Sequence, residues 1–494
     1  MDTKTYRLTT ITYFLIAAVI GIANVAFIEN ATFAMAVVAF ECIILVTNLL
    51  MRKYTTTYSL LLIFSGLCIE SSLFAGTDTF YNLKNTRVLG INLVIWLLAL
   101  IVVVMSLRKI RFPKSVFQKM SWFIKGIGFL VITGTIMGLF NISINDNNIR
   151  NIPNYFGEYI SVFYTMALFP MLFMITTLLC IMKEPENAYK IKLSILAVFL
   201  GVSVQIVFSV FTGHRIRIAG LDGIGVASSL IIFYIPLAIA AFFYKDLIPK
   251  PHSYVYLIIT SIGTVFALIN NANGKLIILI ILLPFIICTL ANKSLKLVII
   301  PIICFVAFFV ALYILPTINA ESNYLLSKKI EEVVGILNIF SVGWLQNMPA
   351  SPRYRLLELI NTLIELINKP WCIPFGKGYL GSITDHINMF VRVGGDFSEV
   401  QWSHGVFYFL HESLNLLLLN NGILGIYMWV KTFRFGLKNY KKSFFVLLGS
   451  IWFCLTYGYS VTITGIGMSA IIIGLYDVCS LLSVESQSNE NTVL

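Results

Sequence analysis

The chain has 494 residues, 58% of them hydrophobic and only 12% charged, with a formal net charge of +12. A soluble domain holds about 25% charged residues, so the composition excludes a soluble globular protein and indicates an integral membrane protein built from apolar helices. The positive charge sits in short loops between apolar runs, which is a topology signal and argues against nucleic acid as a partner.

Taken in order, apolar runs near the ~20 residues that a bilayer core requires predict about fourteen transmembrane helices. They cover residues 11–28, 31–51, 58–76, 88–107, 126–144, 159–182, 193–211, 225–244, 254–270, 276–291, 297–315, 405–430, 444–460 and 466–482. The first run lacks a small-residue cleavage site and is followed at once by further spans, so it reads as a span and not a cleaved signal. The chain then divides into a bundle of about eleven spans (1–315), a large loop (316–404), about three further spans (405–482) and a polar tail (483–494). Of the eight cysteines, Cys372 alone falls in a long polar loop, so no disulfide framework is readable.

Orientation follows from the basic residues. Of the 35 lysines and arginines, 22 lie in short loops on one side of the predicted bundle and 6 on the other. Cytoplasmic loops carry the excess, so both termini are expected in the cytoplasm and the long loop outside. That loop has internal order. Leu356, Leu359, Ile360, Leu363, Ile364 and Ile367 recur at three and four, with Arg355, Glu358, Thr362 and Glu365 opposite. The spacing predicts an amphipathic helix over 353–368, on the outer leaflet or across the bundle. Residues 327–337 form a weaker candidate.

Candidate chemistry gathers on the outside. Arg215 and Arg217 occupy a short external loop, and Arg353 and Arg355 open the loop helix. Guanidinium groups at a membrane mouth suit a lipid pyrophosphate, because they stay charged and grip phosphate oxygens in pairs. Headgroup contact is the plainer alternative for any one of them. If 405–430 is one helix, His404, Tyr408, His411, Asn415, Leu418 and Gly422 share a face. His411 can then accept a hydroxyl proton, or hold a neighbouring helix by a hydrogen bond. Asp385 and His386 are adjacent, with no partner placed by sequence. Glu41 and Glu70 fall within spans, as proton carriers of a transporter or as structural hydrogen-bonding groups. No recognised metal-ligand spacing, phosphate loop or serine elbow is present, so no metal and no cofactor is expected.

Three pieces of this pattern resemble the O-antigen polymerase and O-antigen ligase family of bacterial surface-glycan assembly. The family's ligase-like motif is His, then Asn, Ser or Gln, nine residues, Gly, two residues, and Gly, Thr or Tyr. His411, Gly422 and Gly425 keep that spacing, with Glu412 in the second position. A second pattern runs from an arginine through an amphipathic helix and a proline to Gly-x-Gly, matched by Arg355, Pro370 and Gly376-Lys377-Gly378 with about three extra residues before the glycines. A third, Arg-x-x-Gly before a span, is matched by Arg217-Ile-Ala-Gly220. The resemblance covers the chain from about Gly213 onward.

It implies an all-α polytopic membrane glycosyltransferase of the GT-C type in a bacterial inner membrane, acting at the periplasmic or outer face. The donor is an undecaprenyl-pyrophosphate-linked oligosaccharide, and the acceptor a second lipid-linked repeat unit. Arg217, Arg355 and His411 are then the catalytic set, with Arg215, Arg353, His404, Gly376 and Gly378 binding substrate. A chain-length regulator and a flippase of the same pathway are the implied protein partners. A ligase that moves the finished glycan to another acceptor is the nearest alternative, and a flippase or transporter the alternative from another class. A transporter places its binding residues near the bilayer midplane, whereas these residues gather outside.

Overall fold

The computed structural model describes residues 3–28, 30–69, 71–72, 81–83, 85–88, 91–107, 121–143, 169–213, 215–218, 221–224, 248, 252–270, 343–348, 350–379, 381–390, 397, 399–408, 410, 412–439 and 444–456. They are mainly helical. Four of their helices are long and apolar enough to cross a membrane: Lys4–Ala26, Ala31–Leu50, Ala188–Thr212 and Ser413–Asn439.

The second of these shows why lipid is the solvent. Helix α2 (Ala31–Leu50) follows α1 (Thr3–Ala26) and starts where the Asn30 side chain accepts the Phe33 N–H. It buries a single stripe, Ala34, Val38, Glu41, Leu45 and Leu49. Phe33, Phe40, Ile43 and Leu50 stay exposed on its other sides. Apolar surface left in water costs roughly 25 cal/mol per Å², so a helix greasy all round belongs in a bilayer.

The first bundle is built around α7 (Ala188–Thr212), against which α1, α3 (Tyr54–Gly66) and α8 (His252–Asn270) pack. Helix α4 (Leu93–Leu107) packs on α6 (Phe169–Lys183), and α5 (Ser121–Ser143) turns to the second half. There α9 (Trp344–Asn347), α10 (Ala350–Asn368), α11 (Cys372–Phe375) and α12 (Glu399–His404) precede α13 (Ser413–Asn439) and α14 (Phe444–Thr456). Helix α13 is the hub, touching α5, α10, α11 and α14.

Several expectations shift. The third span was expected over 58–76, but α3 stops at Gly66. The side-chain amides of Asn24 and Gln205 hold the Leu67 carbonyl, and that of Asn82 holds the Ile69 carbonyl, so side chains take over from the helical ladder. Nor is the fold purely helical. Short antiparallel strands β1 (Ser71–Ser72), β4 (Arg215–Ile218) and β5 (Leu221–Ile224) form one sheet, and β2 (Arg87–Val88) pairs with β3 (Ile91–Asn92). The expected helix over 405–430 begins only at Ser413. Gly405 stands at φ 61, Phe407 pairs with Ile383, and the Tyr408 N–H donates to Gln401 Oε1, so His404 and Tyr408 share no helix face with Asn415 and Gly422. The expected spans 225–244, 276–291, 297–315 and 466–482, the candidate helix 327–337, the tail and Glu70 lie outside the described residues.

Candidate functional site

The amphipathic helix is present as α10, and its polarity is inverted relative to a water-bathed helix. Glu358, Asn361, Thr362 and Glu365 are buried, while Leu363 and Ile367 are 44% and 66% exposed. The polar face is turned into the protein because a return strand of chain runs beside it. The Glu365 carboxylate accepts from the Thr384 N–H and hydroxyl at 3.3 and 3.1 Å, and its Oε1 stands 2.9 Å from His386 Nε2. The Asn361 oxygen accepts the His386 N–H at 3.0 Å, and Asp385 Oδ2 accepts the Phe390 N–H at 2.7 Å. Glu365 and Asn361 of α10 thus accept from backbone N–H groups that form no ladder of their own.

Between the two arms sits the Gly376-Lys377-Gly378 turn. Lys377 Nζ reaches Glu365 Oε2 at 3.1 Å and the Ser382 carbonyl at 2.7 Å. Burial lowers the lysine pKa, against the pull of Glu365. Burial alone would raise the Glu365 pKa, but Lys377 and His386 outweigh it and hold the carboxyl below its ordinary value.

The turn docks onto a break in α13. Gly422 has φ 58 and ψ −144, which no helix accommodates, so carbonyls one turn earlier lose their partners. The Lys377 N–H donates to the Leu419 carbonyl at 2.7 Å and the Gly378 N–H to the Asn420 carbonyl at 3.1 Å. On the other side the Tyr379 N–H donates to the Gly134 carbonyl of α5, and Asn141 Nδ2 donates to the Lys377 carbonyl. Gly376 and Gly378 were expected to bind substrate. In the structure their N–H groups are engaged by the Cys372 and Asn420 carbonyls, and both glycines are closely packed. A Cβ on Gly378 would fall 1.9 Å from the Gly138 nitrogen.

At the start of α10, Arg355 Nε lies 2.9 Å from Glu412 Oε1, one residue before α13 begins. Asn415 of α13 donates to the Arg355 carbonyl at 2.9 Å and to Glu358 Oε2 at 3.2 Å. Arg353 donates from one terminal nitrogen to the Gln346 carbonyl of α9 at 2.9 Å. His404 Nδ1 lies 2.8 Å from the Val400 carbonyl inside its own short helix. Arg215 and Arg217 are described as backbone only, in β4, where Arg217 stands opposite Ser71 and Asp222. His411 lies outside the described residues. The structure therefore brings Arg355 to the residue beside His411 in the chain, and brings the Gly-Lys-Gly turn to Gly422.

Sequence reasoning missed the Glu365–Lys377–His386 linkage. A visible trace of it was the Asp385-His386 pair, whose partners stand on α10 and were not placed by sequence. Among the described residues no group of three His, Cys, Asp or Glu is placed to hold a metal. Comparison with models of known protein families, and with curated protein sequences, finds no match to this chain.

Proposed function

We propose that this protein is a membrane glycosyltransferase that polymerises glycan repeat units. It takes a glycan from an undecaprenyl-pyrophosphate donor and joins it to the non-reducing end of a second lipid-linked unit, without a metal. The observation that carries the proposal is the meeting of separate motif pieces on α13. The Gly376-Lys377-Gly378 turn closes on Gly422, and Arg355 pairs with Glu412 next to His411. These pieces come from two stretches of sequence and have no need to meet in a generic helix bundle.

The chemistry follows from the residue types. Glu412 approaches the Nε side of the Arg355 guanidinium, and the side chain is 32% exposed. The planar terminal donors of such a guanidinium suit the oxygens of a diphosphate. The acceptor hydroxyl attacks the anomeric carbon, its proton passes to His411, and the bond to the diphosphate breaks with its electron pair leaving on phosphate. Arg355 and Arg217 offset that developing charge, and direct displacement inverts the anomeric centre. The reading includes about fourteen spans in a GT-C-like arrangement, termini in the cytoplasm, and a site facing outward from the inner membrane.

The test is complementation of a deletion strain, with surface glycan resolved on a gel. Wild type restores long chains, while Arg355→Ala, Arg217→Ala and His411→Ala accumulate in the membrane and leave single capped units. Long chains stranded on carrier lipid in the deletion strain would identify a ligase instead. Unaltered glycan would remove the transferase reading.

A further inference from the structure

We infer that α10, α11 and the Gly-Lys-Gly turn form a re-entrant hairpin whose outer side lies against lipid acyl chains. This segment then does not stand wholly outside the membrane as the loop reading expects. The inference is independent of the glycosyl-transfer proposal.

Depth is read from two helices. Lys431 Nζ of α13 lies 5.0 Å from the Trp122 ring centroid of α5, a lysine–tryptophan pair of the kind that marks a membrane interface. Counted from Lys431, Gly422 is about 14 Å into the bilayer, and counted from Trp122, Gly134 is about 18 Å in. A hydrocarbon core is about 30 Å thick. The turn contacts both glycine levels, through Gly376 against Gly422 and through the Tyr379 N–H on the Gly134 carbonyl. It therefore reaches about the middle of the core. The opposite end of the hairpin is higher, since Arg355 meets Glu412, which lies beyond the Gly422 break on the side away from Lys431.

Non-helical backbone is tolerated at such depth only when it is covered by protein and its polar groups are paired. Such pairing is present among the described residues. The turn donates to the carbonyls freed at the α13 break, and the return arm donates to Glu365 and Asn361. This explains why the polar face of α10 points inward. What remains outside is largely apolar: Leu363, Ile367, Trp371 and Phe375 are 44%, 66%, 49% and 38% exposed, with the exposed Asn368 and half-buried Lys369 at the end of α10 as its polar members. The spans that the hairpin packs on are exposed and apolar as well, at Ile423 of α13 and Ile136 of α5, as expected where lipid covers all three.

The test uses the full chain in phosphatidylcholine nanodiscs. Ile367→Cys and Phe375→Cys carry a nitroxide label, with Asn388→Cys on the return arm as the water-side control. Labels at 367 and 375 are expected to collide more with oxygen than with a water-soluble nickel chelate, and the label at 388 the reverse. Higher nickel access at 367 and 375 would overturn the inference, as would shielding from both reagents, which indicates a protein cover. Should the cysteine variants fail to accumulate, the difference emission between wild type and Trp371→Phe decides. Quenching of that difference by acyl-brominated phosphatidylcholine supports the hairpin, and indifference to bromine overturns it. Loss of glycan polymerisation bears only on the transferase reading.

Discussion

Lys377 Nζ stands 3.1 Å from Glu365 Oε2 with 1% and 6% of the two side chains exposed, which makes this a sealed ion pair joining the turn to α10. Breaking such a pair from one side leaves an uncompensated buried charge, at a cost of about 3–5 kcal/mol. Lys377→Met is therefore expected to lower the thermal unfolding midpoint sharply in detergent. Adding Glu365→Gln should recover part of the loss, because the orphaned carboxylate is gone. A double mutant as unstable as the summed singles would show that the two residues act separately.

The same pair sets a pH dependence. Glu365 has a folded pKa held below its ordinary value despite burial, chiefly by Lys377 and then by His386. The unfolded chain binds that proton more readily, so the stabilisation is complete above the ordinary Glu value of about 4.3 and is lost as pH falls through the lower folded value. Unfolding midpoints measured from about pH 7 downward should drop through this window. In Glu365→Gln the drop should be shallower, and an unchanged profile in that variant would remove Glu365 as its source.

Much of the architecture was legible in composition and periodicity. The runs at 31–51 and 193–211 return as α2 and α7 within a few residues, because a run of apolar residues long enough for a bilayer has few other fates. The loop helix was legible at Leu356 to Ile367 for the same reason. Its orientation was not. A polar stripe reads as facing water, and only the return arm, with Thr384 and His386 needing acceptors, turns Glu365 and Asn361 inward. The start of α13 was misplaced because Gly405 and the Ile383–Phe407 pairing interrupt a run that hydropathy alone carries through. The Arg355–Glu412 contact was invisible because 57 residues of sequence separate the two.

Glycine at 378 is required by geometry. Its φ of 82 disfavours any side chain, and an added Cβ would meet Gly138 backbone, which has no flexible end to move away. Gly378→Ala should therefore prevent the turn from docking, seen as loss of the folded membrane protein on size-exclusion chromatography. Gly128 of α5 supplies the contrast, since a Cβ there meets nothing within 4 Å. Gly128→Ala should leave the protein folded and gain up to about 1 kcal/mol from helix propensity. Equal tolerance at both positions would mean that the turn does not pack against α5 as described.

Arg355 separates charge from geometry in the proposed reaction. Its guanidinium is anchored at Nε by Glu412 and by the position of its own backbone, whose carbonyl accepts from Asn415. Lysine keeps the charge but lacks the planar fork that meets two diphosphate oxygens at once. If Arg355 stabilises the departing diphosphate, Arg355→Lys should lose about 10²-fold or more of transfer rate, close to the loss in Arg355→Ala. If it serves only to pair with Glu412, lysine should suffice and long glycan should persist. Glu412→Gln completes the set. It keeps an acceptor near Nε while removing the negative charge, so a modest loss is expected where Arg355 contacts substrate. Surface-glycan length on gels, normalised to protein in the membrane, reads all three, and full-length chains from Arg355→Lys would assign this arginine to structure alone.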